Sequence, residues 1–421
     1  MSDNNNEYKA VKITDNLYWV GAVDWDVRDF HGHSYSVHRG TTYNAYLIID
    51  EKITLVDTVY TPFAGEMISK ISSVIDPSKI EYIIANHVEV DHSGSLSKMA
   101  KIAPRATIFC TAKGKEGFLA HYSSAVNITP DGKPSDEWNF HIIKSLEELK
   151  LGKKTLTFIE APFLHWPDSM FTYIKEDAIL LPNDAFGQHL ASSGRFDDEV
   201  SQDELIYEAK KYFANILTPF SPLILKKIDE LSRLKIPVKM ICPSHGIIWR
   251  KNPGQIIESY RWWSEGENKN KILVIYDTMW GSTEKMARTI IEGILSAGTN
   301  TEAKLYKMPV SDRSDIMAEI LDASGVIIGS STLNKSILPT MAPLLEDLEG
   351  LRFKNKTAAA FGAFGWSGGA VETIEERLKK AGFSLIEPPV VARWVPDQDI
   401  LKQCLNLGKE MALKISASAK T

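Results

Sequence analysis

The stretch Asn86-His87-Val88-Glu89-Val90-Asp91-His92-Ser93-Gly94 places two imidazoles and two carboxylates within six residues. Imidazole nitrogen together with carboxylate oxygen is the ligand set of iron, zinc or manganese. The apolar run Tyr82–Ala85 before the cluster reads as a buried strand, and Ser93-Gly94-Ser95 after it as a turn into a helix over Leu96–Ala103. The four polar side chains therefore fall at the C-terminal end of a strand, where open α/β sheets place their chemistry. Two metals need more donors than these four, since each iron takes about five or six. His165, after the apolar run Phe158-Ile159, Asp184, after Ala178–Leu181, and His245, after Val238–Ile241, repeat the same grammar of strand followed by a polar turn. Singly, a histidine is more often a packed or surface residue, and an aspartate beside Asn and Pro a turn residue. Together with the clustered motif they become candidate ligands.

His87-x-Glu89-x-Asp91-His92 resembles His-x-His-x-Asp-His, the metal motif of the metallo-β-lactamase-fold hydrolases, with Glu89 in the place of their second histidine. A carboxylate there is a harder ligand and shifts the preference from zinc towards a pair of irons. In this superfamily that exchange resembles the flavodiiron proteins, as does the run Arg39-Gly40-Thr41-Thr42-Tyr43-Asn44-Ala45-Tyr46-Leu47. The resemblance implies one iron on His87, Glu89 and His165, a second on Asp91, His92 and His245, and Asp184 bridging the two. His31, His33 and His38, near Asp29, follow no apolar strand, so Trp25–Tyr46 is expected as a loop packed over the site, with His189 in a supporting role at most.

The elements that must position these groups alternate along the chain. Tyr46–Ile49 and Ile53–Val56 read as paired strands, Phe63–Ile75 as a helix and Thr107–Cys110 as a strand. The length of 421 residues argues for two or three domains, and 44% hydrophobic residues fill ordinary cores. No apolar run approaches the roughly 18 residues of a membrane span, and Met1–Glu7 has no features of a secretory leader. A net charge of −6 with both signs interspersed gives no reason to expect nucleic acid or a membrane surface as partner, and a cytoplasmic setting is expected. Cys110, Cys242 and Cys404 are too dispersed to hold an iron–sulfur or rubredoxin-type centre.

Beyond the turn-forming stretch Ser264–Lys271 a second pattern begins. The strand Ile272–Tyr276 leads into Asp277-Thr278-Met279-Trp280-Gly281-Ser282-Thr283 and then a helix with Met286, Ile290, Ile294 and Leu295 on one stripe, capped at Gly298. Strand, hydroxyl-rich glycine loop and helix N-terminus make a phosphate cradle. It is neither a Walker A loop nor Gly-x-Gly-x-x-Gly, and it resembles the FMN phosphate loop of flavodoxins. Two more strand-end loops support this: Ser330-Ser331-Thr332-Leu333-Asn334-Lys335 after Gly325–Gly329, and Gly362-Ala363-Phe364-Gly365-Trp366-Ser367-Gly368-Gly369 after Thr357–Phe361. A flavin at the switch point of a 2-1-3-4-5 sheet needs three such loops and an aromatic cover, here Trp366. Ser331 stands where proline is expected and Lys335 where Asn or Gly is expected.

The expected architecture is an N-terminal metallo-β-lactamase-like αββα sandwich over 1–255, a linker over 256–270 and a flavodoxin-like, doubly wound parallel sheet over 271–421. The family resemblance, which covers nearly the whole chain, implies a minimal two-domain oxidoreductase. FMN would bind at Thr278–Thr283, Ser331–Asn334, Ala363–Trp366 and Gly368, and pass electrons to a di-iron centre that reduces O2 to water, NO to N2O, or both. It also implies a head-to-tail homodimer, or a dimer of dimers. With the chain stopping at Thr421, the electron donor is expected to be a separate rubredoxin-like protein or a reduced soluble cofactor. Two other classes compete: a metal-dependent hydrolase, which leaves the second pattern unexplained, and a flavin electron carrier, which leaves seven candidate ligands unexplained.

Overall fold

The computed structural model describes residues 8–122 and 138–418. Met1–Glu7 and Thr421, on which the expectations about the two ends rested, lie outside the described residues. The chain divides into two compact units, one of Met1–Phe30, Val37–Ala209 and Lys226–Glu258, the other of His31–Ser36, Lys210–Leu225 and Ser259–Thr421.

The first unit is an αββα sandwich. Its larger sheet runs in the order Val11–Lys12, Leu17–Trp19, Tyr46–Ile48, Thr54–Val56, Tyr82–Ile84, Thr107–Cys110, Asn139–Ile142, antiparallel up to Thr54–Val56 and parallel beyond. Its second sheet runs Glu148–Lys150, Thr155–Glu160, Met170–Ile174, Ile179–Leu181, Met240–Ile241. These strands are short, β-branched and aromatic, and most are buried on both faces, as inner layers require. Tyr46, Ile48, Ile84 and Phe109 of one sheet pack with Phe158, Met170, Ile174 and Leu181 of the other. On the outer face of the larger sheet, Met67 and Ile71 of the helix Ala64–Ser72 and Leu96 and Met99 of the helix Leu96–Ile102 meet Leu47, Leu55, Ile83 and Ile108.

Local differences from the sequence reading have physical reasons. Trp25–Tyr46 is not all loop: Thr41–Tyr43, β-branched and aromatic, is a buried strand paired antiparallel with Ala22–Asp24. Val90–Ser93 is a short helix rather than the lead into a turn, because Ser93 N and Gly94 N donate to Glu89 O and Val90 O. The region 253–265 is a helix, Pro253–Glu265, and Lys269–Tyr276 already a strand.

The second unit is a doubly wound parallel sheet in the order Glu302–Lys307, Lys269–Tyr276, Ala323–Ser331, Thr357–Phe364, with Ser384–Leu385 and Val390–Arg393 both on the far side of Thr357–Phe364. This is the 2-1-3-4-5 order, whose switch point lies between Lys269–Tyr276 and Ala323–Ser331. The helix Ser282–Leu295 buries Met286, Ala287, Ile290 and Ile294 against the sheet and the helix Gln398–Ser418, while Leu295, expected on that stripe, is exposed at the helix end. All three cysteines are free and buried, and among the described residues no helix is long and apolar enough to cross a membrane.

Candidate functional site

Every candidate ligand of the first unit leaves the C-terminal end of a strand. Thr155–Glu160, Ile179–Leu181 and Met240–Ile241 all point the same way in the second sheet, so the turns carrying His165, Asp184 and His245 share one edge. Tyr82–Ile84 delivers His87, Glu89, Asp91 and His92 to that edge, where Met170 N donates to Asn86 O at 3.0 Å.

The seven side chains converge as two groups joined by one carboxylate. His87, Glu89, His165 and Asp184 form one group, and Asp91, His92 and His245 another. His87 Nε2 lies 3.3 Å from Glu89 Oε2 and 3.6 Å from Asp184 Oδ2, and His165 Nε2 lies 3.5 Å from the same two oxygens. The other oxygen of that carboxylate, Asp184 Oδ1, lies 2.9 Å from His92 Nε2 and 3.6 Å from His245 Nε2. Asp91 Oδ2 is 3.0 Å from His245 Nε2. Asp184 thus turns one oxygen towards each pair of imidazoles.

These groups fit metal ions. Donors held ~2.0–2.2 Å from a common ion stand roughly 3–4 Å apart, as they do here. Asp91 Oδ1, Asp184 Oδ2 and His92 Nε2 are buried with no hydrogen bond of good geometry and face only other members of these two groups, a costly state for polar atoms unless they serve as ligands. Burial works against charge on His92, but Asp91 and Asp184 outweigh it and lift the imidazole to about 9. For His165 burial is likewise outweighed, by Asp184 and Glu89, and it too rises to about 9. Burial would raise Asp184, yet His92, His165 and His87 hold it well below the usual carboxylate range. A pocket that retains protons this strongly is a pocket prepared for cations.

Supporting groups fix the rings. His87 Nδ1 lies 3.1 Å from Asp168 Oδ2, which also accepts from Val88 N at 2.7 Å. His245 Nδ1 lies 2.7 Å from Thr42 O, and a carbonyl only accepts, so the proton sits on Nδ1 and Nε2 keeps its lone pair for the site. Asp57 accepts from Asn86 N and Nδ2 and from Asn183 Nδ2, tying the turn of His87 to that of Asp184. His189 stands beside the groups rather than in either: Thr41 Oγ1 is 2.8 Å from its Nδ1, and Phe30 stacks on it at 4.2 Å. His31, His33 and His38 are in neither group. Sequence reasoning gave no role to Asp168, Asp57, Asn44 or the Thr42 carbonyl, although Thr42 and Asn44 lie in the run Arg39–Leu47 quoted for the family resemblance and Asp168 lies in the turn of His165.

In the second unit the three expected loops follow the strands at the switch point. Gly281, at φ +87° with open space where a Cβ would stand, caps the helix Ser282–Leu295. Its N–H donates to Thr278 Oγ1 at 3.0 Å. Thr283 is buried and its hydroxyl is 2.9 Å from Ser331 Oγ, which also accepts from Met279 N, so Ser331 ties the first loop to the second. Thr332 N donates to Ala363 O at 2.8 Å, linking the second loop to the third. Leu333 is half-buried and Asn334 exposed at φ +50°. Gly369 must be glycine, since a Cβ would stand 2.1 Å from Lys335 O. Trp280 and Trp366 are 94% and 86% exposed, large apolar faces without cover. Trp394 stands 6.4 Å from Trp366, held where its N–H donates to Phe364 O, and the sequence reading did not single it out. A helix N-terminus, loop hydroxyls and uncovered indoles at a switch point fit a phosphate-bearing aromatic cofactor.

Comparison with known proteins follows the same division. The family model described as ODP family beta lactamase matches residues 41–246, and the flavodoxin model residues 274–408. A nitric oxide reductase of Moorella thermoacetica is 53% identical over 409 residues, 97% of this chain and 99% of that protein. The anaerobic nitric oxide reductase flavorubredoxin of Escherichia coli K12 is 43% identical over 404 residues, 96% of this chain and 82% of that protein. Rubredoxin oxygen:oxidoreductase from Desulfovibrio gigas superposes with a TM-score of 0.93 at 38% identity, covering 98% of this chain and 100% of that one. The flavodiiron protein of Giardia intestinalis gives 0.90 at 36% identity, covering 97% of each chain.

Proposed function

The chain belongs to the flavodiiron proteins, and on that premise we propose how its residues serve the reduction of NO, of O2, or of both. It is an oxidoreductase with FMN and a di-iron centre. When bound, FMN takes up electrons from a donor and relays them singly to the iron pair, which offers open positions to a small oxidant.

In this reading His87, Glu89 and His165 would hold one iron and Asp91, His92 and His245 the other, with Asp184 offering one oxygen to each. The observation that carries it is the division of the Asp184 carboxylate, one oxygen to each pair of imidazoles. Glu89, Asp91 and Asp184 supply negative charge that offsets two ions, and Asp168 and the Thr42 carbonyl fix which nitrogen of His87 and of His245 faces them. Trp166, edge-on to His87 at 5.2 Å, walls the pocket on that side. The residues 1–255 carry this centre, 256–270 join, and 271–421 carry FMN. There the loop Thr278–Ser282 at the N-terminus of the helix Ser282–Leu295 would hold the phosphate. Thr283, Ser331, Thr332, Leu333, Asn334, Ala363, Phe364, Gly365 and Gly368 would line the cofactor's bed, and Trp366 would cover its ring.

A rubredoxin-like protein or a reduced soluble cofactor supplies the electrons, in keeping with the names flavorubredoxin and rubredoxin oxygen:oxidoreductase borne by relatives. A cytoplasmic homodimer is the assembly we expect. The test is anaerobic stopped-flow mixing of the fully reduced protein, its iron and FMN content assayed beforehand, with O2 and with NO separately. Rapid reoxidation by either gas supports the reading and names the substrate. Reoxidation by neither, or zinc in place of iron, overturns it.

A further inference from the structure

The turn of His245 is gripped from outside by a polar clamp of its own, centred on Asn44. Asn44 N donates to Ser244 O at 2.7 Å, and Asn44 Nδ2 donates to Pro243 O at 2.8 Å and to Gly246 O at 3.0 Å. Tyr46 Oη donates to Pro243 O at 2.6 Å, and Gly246 N donates to Thr42 Oγ1 at 2.6 Å. The turn thus has its carbonyls before and after His245 bound to one amide, while the ring is bound to the carbonyl of Thr42.

The clamp is itself held. The remaining polar atom of the Asn44 side chain, Oδ1, accepts from Trp19 Nε1 at 2.7 Å, which fixes the orientation of the amide so that both of its protons face the turn. Trp19 is 2% exposed and its ring meets two cations, Lys70 Nζ at 4.2 Å and the Arg195 guanidinium at 4.8 Å. Gly21 leaves no slack beside Asn44, since a Cβ there would stand 2.2 Å from Tyr43 O and 2.8 Å from Asn44 Cα. Each partner of Asn44 is buried, so loss of its side chain would remove a bond from Pro243 O and from Gly246 O and leave Trp19 Nε1 without its acceptor. The turn of His87 rests on other groups, Asp168 and Asp57.

We propose that Asn44, oriented by Trp19, is a positioning residue for His245, so that occupancy and geometry of the iron on Asp91, His92 and His245 depend on it while those of the iron on His87, Glu89 and His165 do not. The proposal rests on the ligand assignment above. The effect expected is selective. Partners that orient a metal-bound histidine typically change metal affinity by about 10–100-fold when removed, and here that loss falls on one ion of the pair.

The test compares the wild-type full-length protein with Asn44→Leu and Trp19→Phe, all loaded with 57Fe and FMN and examined by iron assay, Mössbauer spectroscopy and circular dichroism. The wild type should bind two irons per chain. If it does not, the ligand assignment fails and the clamp is not at issue. For Asn44→Leu the expected result is a fall towards one iron per chain, or a changed quadrupole doublet for one iron only, with FMN content and far-ultraviolet spectrum unaltered. Trp19→Phe, which keeps the ring but removes the donor that orients the amide, should give the same one-sided change in weaker form. Should Asn44→Leu fail to fold, Trp19→Phe decides alone. Two irons with wild-type spectra in the variant that folds, or equal loss of both irons, would overturn the proposal.

Discussion

In the first unit the buried carboxylates Asp91 and Asp184 face the imidazoles of the same site, with polar atoms left outside good hydrogen-bond geometry, whereas in the second unit the buried carboxylates Asp322 and Glu319 meet four lysine ammoniums. Lys210 and Lys269 lie 2.8 and 3.0 Å from Asp322, Lys304 lies 2.8 Å from Glu319, and Lys271 contacts both acids. Lys356, fully buried, donates to Leu321 O, Ala323 O and Asn268 Oδ1. The two clusters sit at opposite ends of their strands. The imidazoles and carboxylates follow strand C-termini, while Lys269, Lys271, Asp322 and Lys356 stand at or just before strand N-termini. Charge closed by charge at the N-terminal edge is a structural lock, and charge left open at the C-terminal edge is a place for ions to enter.

The contrast can be broken most sharply at Asp184. Asp184→Asn removes the charge both pairs of imidazoles share, and iron should fall below two per chain with gas consumption down by more than about 100-fold, beyond what loss of a supporting group costs. A variant that kept both irons and its rate would erase the distinction between open and closed clusters. In the lock, Asp322→Ala strands Lys210 and Lys271 and should destabilise the second unit by about 3–5 kcal/mol in urea denaturation followed by flavin release, with iron content unchanged.

The pH dependences should run in opposite directions. His92 and His165 of the metal-free protein are raised to about 9, so their stabilising contribution is full below about 6.5 and is lost as pH rises through 9. It amounts to a few kcal/mol, and iron loading should abolish this slope in thermal denaturation. Lys210 is lowered to about 8 by burial, against the pull of Asp322. Between pH 8 and 10.5 the unfolded chain therefore binds more protons than the folded one, and stability should rise by roughly 3 kcal/mol, a rise that Lys210→Met removes. The smallest effect is expected at Lys269, whose side chain is 61% exposed: Lys269→Ala should change stability by less than about 1 kcal/mol.

How far the sequence could be read follows the same contrast. Four of the converging residues lie in one short run, and three more follow apolar strands at turns, so local pattern alone pointed to the edge where they meet. Asp168, Asp57 and Asn44 act on partners 80, 29 and 199 residues away or thereabouts in the chain, through contacts that only the packed sandwich creates. No spacing rule links an asparagine between the strands Thr41–Tyr43 and Tyr46–Ile48 to the turn of His245. Three parallel strands of the second unit, within Lys269–Tyr276, Ala323–Ser331 and Thr357–Phe364, were legible because they are long and largely apolar, whereas Glu302–Lys307, with charged residues interspersed, was not. Trp394 was not, because its place beside Trp366 is fixed by the pairing of Val390–Arg393 with Phe361–Phe364, a tertiary fact. Thr41–Tyr43 was read as loop because histidines and glycine surround a strand three residues long.

The burial of the three cysteines bears on how such a protein survives its own substrates. Burial pushes the thiols of Cys110 and Cys404 up to about 12 and that of Cys242 higher still. The thiolate, not the thiol, is the form that oxidants and nitrosating species attack. A catalyst that draws dioxygen or nitric oxide to itself thus keeps its three sulfurs buried and protonated at neutral pH, the form and place in which sulfenylation and S-nitrosation are disfavoured.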